Sequence, residues 1–380
     1  MSPLRRLAAL LCCGPCLVAL VLAGCANMGE TGHRTSTNAG PTASAIPRGA
    51  VIPHIQRIDL GNFQASVAFP AAHGIVLFGN PGTVGQPIGE AGAFALYYYD
   101  NAAKTVSVIA TPTPTSNGVP RGIRLTQAAG DWAVYYVGDA GDFNWEIWAL
   151  NLVTMERRLV ASASGDQTPL AFRSLFFTDG TSLVWPHAVL VNGQRQTIMV
   201  RYDLASATSR TLMTVPATTV IIPQALVNGS LVFTEESADG SANKSVWLWK
   251  LDDAAPRQIV ADAGSDALNF TVNDQYVVWD RIHQLSLTLY DRATGKQTDG
   301  WQSPCLRPHL VVNRPYLVCV DWDANAYRLV RVPSGEDASF YEGQESETLI
   351  FTDNTRAYWV ATSASSPYGN QIDYFDVPTS

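Results

Sequence analysis

The stretch "GDWAVYYVGDAGDFNWEIWALNLVTMERRLVA", residues 130–161, holds two runs of aromatic and branched residues, a polar gap, and a third short run after a turn. Runs of this length and composition, bounded by Gly, Asp and Asn, read as β-strands. The pattern recurs. "WAVYYV" has counterparts in "GIVLFG" (74–79), "SLVWP" (182–186), "SLVFTE" (230–235), "YVVWD" (276–280), "YLVCVDW" (316–322) and "AYWVAT" (357–362). "EIWALNL" is matched by "FALYYYD" (94–100), "TIMVRYD" (197–203), "SVWLWKLD" (245–252), "LSLTLYD" (285–291), "AYRLVRV" (326–332) and "IDYFDV" (372–377). Each second run follows its own first run, seven times over.

The flanks recur as well. "FFTDG", "ALVNG", "FTVND", "LVVNR" and "IFTDN" precede first runs, and their Asp, Asn and Gly suit hairpin turns because they tolerate positive φ. Polar turns such as "DNAAK" and "RATGK" follow second runs and lead into short strands such as "TVSVIA" and "RRLVA". Each unit is therefore a four-stranded meander, repeating every 39 to 52 residues. Self-similarity at that period, with almost no helical pattern, predicts an all-β fold: a seven-bladed β-propeller of four-stranded antiparallel blades over residues 51–380. A lone sheet of this size exposes both faces, and stacking blades around an axis covers them. The seventh unit ends at "FDVPTS" without a fourth strand, whereas "HIQRIDL" (54–60) precedes the first unit without a partner. The N-terminal strand is expected to complete the last blade. Blades five and six are less regular, so six or eight blades remain compatible with the pattern.

Residues 1–24 read as an export signal: the basic start "MSPLRR" precedes about 18 apolar residues broken by Gly14 and Pro15. The close, "LAGC", resembles the bacterial lipobox. That resemblance implies cleavage before Cys25 and diacylglycerol on its sulfur, hence a membrane partner through lipid on Cys25 and an extracytoplasmic position at the cell membrane or outer membrane. Ordinary signal cleavage nearby, with Cys25 left free, is the alternative. Residues 25–50 are rich in Ser, Thr, Gly, Ala and Pro and read as a disordered tether. Loss of Arg5 and Arg6 with the signal leaves 23 basic against 33 acidic residues, about −10, which argues against nucleic acid as a partner. Cys305 and Cys319 flank a turn at "NRP" and are either a disulfide across a hairpin or two buried thiols.

"TDGTSLVW…TIMVRYDLASATSRTLM" and "EIWALNLVTMERRLVA" resemble the repeat of TolB-like, WD-repeat-like propellers over roughly residues 55–380. The resemblance implies a propeller used for protein contacts or as an envelope scaffold. Several repeats lack its Asp-Gly turn, and no TolB-type N-terminal α/β pattern is present, so a role in the Tol system does not carry over.

In such a ring the loops after the second strands share one face with the loops between blades, the face where ligands sit. It collects Asp139, Asp142, Trp145, His187, Glu235, Glu236, Asp239, Asp280, Arg281, His283, Asp321, Trp322 and Asp323. Paired carboxylates with an arginine suit a glycosidase, but acidic surface loops are also what an acidic protein presents to water. "DWDAN" (321–325) starts like a calcium loop yet lacks the sixth-position Gly and the twelfth-position Glu. "SADGSANKSVW" (237–247) has the wrong Gly spacing for a sialidase Asp box. The six histidines show no metal spacing, so neither metal nor cofactor is expected. Most tryptophans lie within strand runs and should pack between blades, leaving Trp145 and Trp322 as candidates for ligand stacking. The expectation is a monomeric, non-catalytic binding or scaffold module for a protein or glycan. A carbohydrate-active propeller hydrolase is the alternative.

Overall fold

The computed structural model of the chain describes residues 54–80, 95–112, 118, 121–138, 144–163, 176–238, 244–321, 326–342, 350–363 and 366–379. The described strands form five four-stranded antiparallel sheets and one eight-stranded sheet, the latter being two quartets that pair with each other only at Ala65–Gly369; each quartet is here called a blade. Blade 1 is Gln64–Ala71, Gly74–Asn80, Leu96–Asp100 and Thr105–Ala110. Blade 2 is Gly122–Ala129, Trp132–Gly138, Trp145–Asn151 and Arg157–Ala163. Blade 3 is Phe177–Thr178, Ser182–Val191, Gln194–Asp203 and Thr208–Pro216, and blade 4 is Thr219–Val227, Ser230–Ser237, Ser245–Lys250 and Arg257–Val260. Blade 5 is Ala267–Val272, Tyr276–Arg281, Ser286–Asp291 and Gln297–Gln302, and blade 6 is Leu306–Leu310, Tyr316–Asp321, Ala326–Arg331 and Asp337–Glu342. Blade 7 takes Ile350–Thr352, Arg356–Ser363 and Ser366–Asp376 from the C-terminal end and its outer strand, Gln56–Asp59, from the N-terminal end.

That outer strand closes the ring. Gln56 lies opposite Tyr374 and Asp59 opposite Gln371, so four residue pairs join the two ends of the described chain. Arg57 grips Asp373 with two hydrogen bonds, Nε to Oδ1 at 2.7 Å and Nη2 to Oδ2 at 3.1 Å. Asp373 is fully buried, so this pair neutralises a charge that the blade could not otherwise hold.

The first strand of each blade touches the first strands of the blades on either side, and the series returns from blade 7 to blade 1. The core is divided the same way. Seven apolar clusters occupy the seven seams, each drawn from two neighbouring blades. Between blades 2 and 3, for example, Trp132, Tyr136, Trp145 and Ile147 meet Leu183, Trp185 and Leu204. Burial of each such side chain is worth roughly 1.5–3 kcal/mol, and none of it exists for an isolated blade. Side chains also stitch inner strands together: Thr271 of blade 5 accepts from the Leu310 N–H of blade 6, and Thr352 of blade 7 donates to the Leu310 carbonyl.

The recurrent Asp and Asn have a defined role. Asp100, Asn151, Asp203 and Asp291 end third strands, and each carboxylate or amide oxygen accepts backbone N–H groups two or three residues ahead. These bonds to the charged form hold the carboxyls of Asp100, Asp203 and Asp291 below the usual carboxylate range. The fifth residue of each such turn is left-handed: Lys104, Met155, Ala207 and Gly295, as is Gly335 at the same place in the turn that starts at Arg331.

Two segments expected to be loops are strand. "PHAVLVNGQRQ" continues the blade 3 hairpin to an Asn192-Gly193 turn, and "ATSASSPYGNQ" largely extends the hairpin of blade 7. Alternation of side chains is weak in both, so they read as loop, whereas the ladder with the preceding strand carries them outward.

Candidate binding mouth

In each blade the turns after the first and third strands lie on one face, and the connections after the second and fourth strands lie on the other. The second face, the mouth, holds the candidate residues. Cys25, Asp139, Asp142, Asp239, Trp322 and Asp323 fall outside the described residues, as does most of "DWDAN".

Apart from His283, the described candidates are not loop residues. His187, Glu235, Asp280, Arg281 and Asp321 stand on second strands near the mouth, and Trp145 begins a third strand. Only His283 occupies a turn, where it is exposed. Trp145 is a correction to the sequence reading: it is 1% exposed, so it offers no stacking surface. Its ring meets His187 edge-on at 5.5 Å across the seam between blades 2 and 3. Burial there pushes the His187 imidazole below its ordinary pKa and keeps it neutral.

Asp280 is also a correction, because it is 1% exposed and lines no solvent-facing surface. Its Oδ2 accepts from Asn269 Nδ2 at 2.7 Å, within blade 5, and from the Arg307 backbone N–H at 2.9 Å, in blade 6. Asn269 and Arg307 both have positive φ, at irregularities in the inner strands of adjacent blades. One carboxylate thus fixes two strained inner-strand residues. The corresponding register position is Phe78, Tyr136, Pro186, Thr234, Val320 and Val360 in the other six blades. Burial raises the Asp280 carboxyl above its usual range, against the opposing effect of its two hydrogen bonds.

Other charges around the mouth are paired in the same structural way. Arg281 Nε lies 2.9 Å from Asp266 Oδ1, and Arg328 joins Asp321 at 3.8 Å while binding Asp337 and Gln302. Arg121 donates to Glu146 at 2.9 Å and Trp148 to its other oxygen at 2.7 Å. Burial works to raise the Glu146 carboxyl, but those bonds outweigh it and hold the group below the usual range. Lys244 spans a seam, its Nζ 3.4 Å from Glu236 and donating to the Ala267 carbonyl at 2.9 Å. On the inner strand of blade 6, burial and then the Arg307 charge push His309 down to about 4, so it is neutral at physiological pH.

Sequence reasoning missed Arg121, Lys244, Asn269, Arg307 and Arg328. Their partners lie in other strands or blades, and no short-range spacing announces them. Among the described residues no group of three His, Cys, Asp or Glu is arranged to hold a metal ion. What faces solvent near the mouth is mixed: Asn269, His283, Leu268 at 39% exposure, and Leu190 and Val191 at 51% and 43% on the projecting blade 3 hairpin.

Cys305 and Cys319, both fully buried, form a disulfide with Cα atoms 5.8 Å apart. It ties the entry of blade 6's inner strand to its second strand.

No protein-family model matches the chain, and no curated protein matches it in sequence. Solved structures do match it. Prolyl oligopeptidase B from Galerina marginata superposes with a TM-score of 0.59 at 11% identity, covering 86% of this chain and 48% of that one. An oligogalacturonate lyase in complex with manganese gives 0.51 at 12%, over 76% and 84%. The β-propeller domain of the trilobed protease from Pyrococcus furiosus, described as having an open velcro topology, gives 0.50 at 9%, over 81% and 92%. TolB from Acinetobacter baumannii is also matched, at a TM-score of 0.42 and 12% identity. This chain spans about half the length of the prolyl oligopeptidase structure. At these identities the likeness defines the fold: the chain is a β-propeller protein, of the architecture its resemblance to TolB-like repeats implied.

Proposed function

We propose that this chain is a lipid-anchored envelope protein whose propeller binds a protein or glycan partner at its mouth without catalysing a reaction. The observation that carries the binding reading is how the described mouth carboxylates are used. Of these, Asp280, Asp321, Glu146, Glu236 and Asp266 are each engaged by an arginine, lysine, asparagine or backbone N–H that belongs to the framework, whereas the carboxylate of Glu235 has no such partner among the described residues. Groups committed in this way rigidify a rim and are poorly placed to transfer protons. Support for the anchor is the sequence "LAGC" after a basic and apolar leader. On this reading residues 25–50 hold the ring outside the membrane.

Two experiments test it. Replacing Cys25 by Ser should release the protein from the membrane fraction, and unchanged retention refutes the anchor. Affinity capture with the mature chain, followed by a glycan array, should return a ligand whose binding falls when Leu190 and Val191 are changed to Ser. Turnover of an array glycan would instead favour a hydrolase.

A further inference from the structure

The internal repeat provides its own control. In every blade the residue after the third strand donates its backbone N–H to a carbonyl of the turn after the first: Asn101, Leu152, Leu204, Leu251, Arg292, Val332 and Val377. Five of the seven are Leu or Val, all buried, and their side chains pack into the seam against the preceding blade. In blade 5 the plug is Arg292. Its guanidinium extends to the Asn273 carbonyl and, at 3.2 Å, to Ser230 Oγ of blade 4.

A second rule breaks at the same seam. Arg158 of blade 2, Arg210 of blade 3 and Arg257 of blade 4 occupy one register position on outer strands. Arg158 binds the Leu204 carbonyl at 3.1 Å and Arg210 the Leu251 carbonyl at 2.8 Å, each reaching the next blade's plug residue. Arg257 makes no such bond, nor an ion pair, among the described residues. A groove of about 590 Å³ opens instead between blades 4 and 5, on the face opposite the mouth. Lys250, Arg257 and Arg292 line it, with Gln275 and Tyr276 on the blade 5 side. Burial depresses the Arg292 guanidinium; Asp274 opposes that effect and Arg257 adds to it, so the two arginines feel each other's charge. Of the acidic residues there, Asp291 already accepts the Ala293 and Thr294 N–H groups, while Asp253 and Asp274 supply acceptors for hydroxyl or N–H groups.

We propose that this seam is a binding site for a small carboxylate-bearing ligand, of the size of a disaccharide or dipeptide, held by Arg257 and Arg292. A carboxylate between two guanidiniums relieves their repulsion and gains charge-assisted bonds. An acidic sugar and an acidic peptide present the same chemistry, and the test separates them.

The full chain, purified in detergent, is titrated calorimetrically at low salt with digalacturonate and with Glu-Glu, against neutral digalactose and Gln-Gln. At least one acidic probe should bind about tenfold or more tightly than its neutral counterpart. R257Q and R292L should each weaken that binding by about tenfold, and R292L, which restores the leucine plug, should raise Tm. Binding of digalacturonate alone assigns an acidic saccharide, and of Glu-Glu alone an acidic peptide. The proposal is overturned if neither acidic probe binds, if acidic and neutral probes bind alike, or if R257Q leaves binding unchanged. R257Q alters an exposed side chain and keeps the test decisive should R292L fail to fold.

Discussion

Ala207 sits at φ 56°, the fifth place of a turn whose counterparts in blades 5 and 6 are Gly295 and Gly335. A Cβ in that conformation costs roughly 1–2 kcal/mol, part of which glycine gives back as backbone entropy in the unfolded chain. Ala207→Gly should therefore stabilise the protein by about 0.5–1 kcal/mol, read as a higher urea midpoint at constant slope. Asp280 supplies a pH test. Its carboxyl is raised in the folded state, so the fold binds that proton more tightly than the unfolded chain does. Its contribution is complete below the ordinary carboxylate pKa and is lost as pH rises through the raised value. Asp280→Asn keeps an acceptor for Asn269 and Arg307 without the charge. Urea midpoints of the variant relative to the wild type should increase with pH across that window; a constant difference would mean Asp280 ionises freely. The turn residues were legible beforehand because an Asp or Asn cap is a local device. Asp280 was legible only as a charge near a loop, since its burial depends on a blade that arrives some 27 residues later at Arg307.

The elements came through in the sequence wherever one face was buried against each neighbour. "WAVYYV" is buried along its whole length because it lies between two blades, and this makes such runs apolar without alternation. The hairpin ends were missed because a strand that projects past its neighbours is bounded by pairing, not by burial. Within blade 6 the disulfide spans a separation of 14 residues. Replacing both cysteines by Ala should cost about 3 kcal/mol, mostly through freedom regained by the unfolded chain, and dithiothreitol should lower the midpoint of the wild type but not of the variant.

For the whole molecule, the seven clusters make each blade's stability conditional on its neighbours. The weak point is then the seam where distant parts of the chain meet. Arg57→Ala leaves Asp373 buried without its partner. Because Arg57 itself is 57% exposed, the expected loss is about 2 kcal/mol rather than the 3–5 typical of a fully buried pair. The unfolding transition should also broaden as blade 7 detaches first, and hydrogen exchange should show protection lost at Ile372–Phe375 before blades 3 to 5. A single sharp transition with uniform exchange would mean that the closure contributes little. The repeating unit could be read in advance because each copy carries the same two runs. The arginine at plug position 292 could not, because its meaning emerges only when seven equivalent positions are laid side by side.

The pairing of Gln56 with Tyr374 brings the first and last strands side by side, pointing in opposite directions. Both ends of the described chain consequently emerge from the same rim, a short span apart. A circular permutant that joins Pro378 to His54 through a brief glycine linker and starts afresh at Gly193 would trace the same circle from a different origin. Blade 7 would then be covalently continuous, while blade 3 would become the one assembled from two ends.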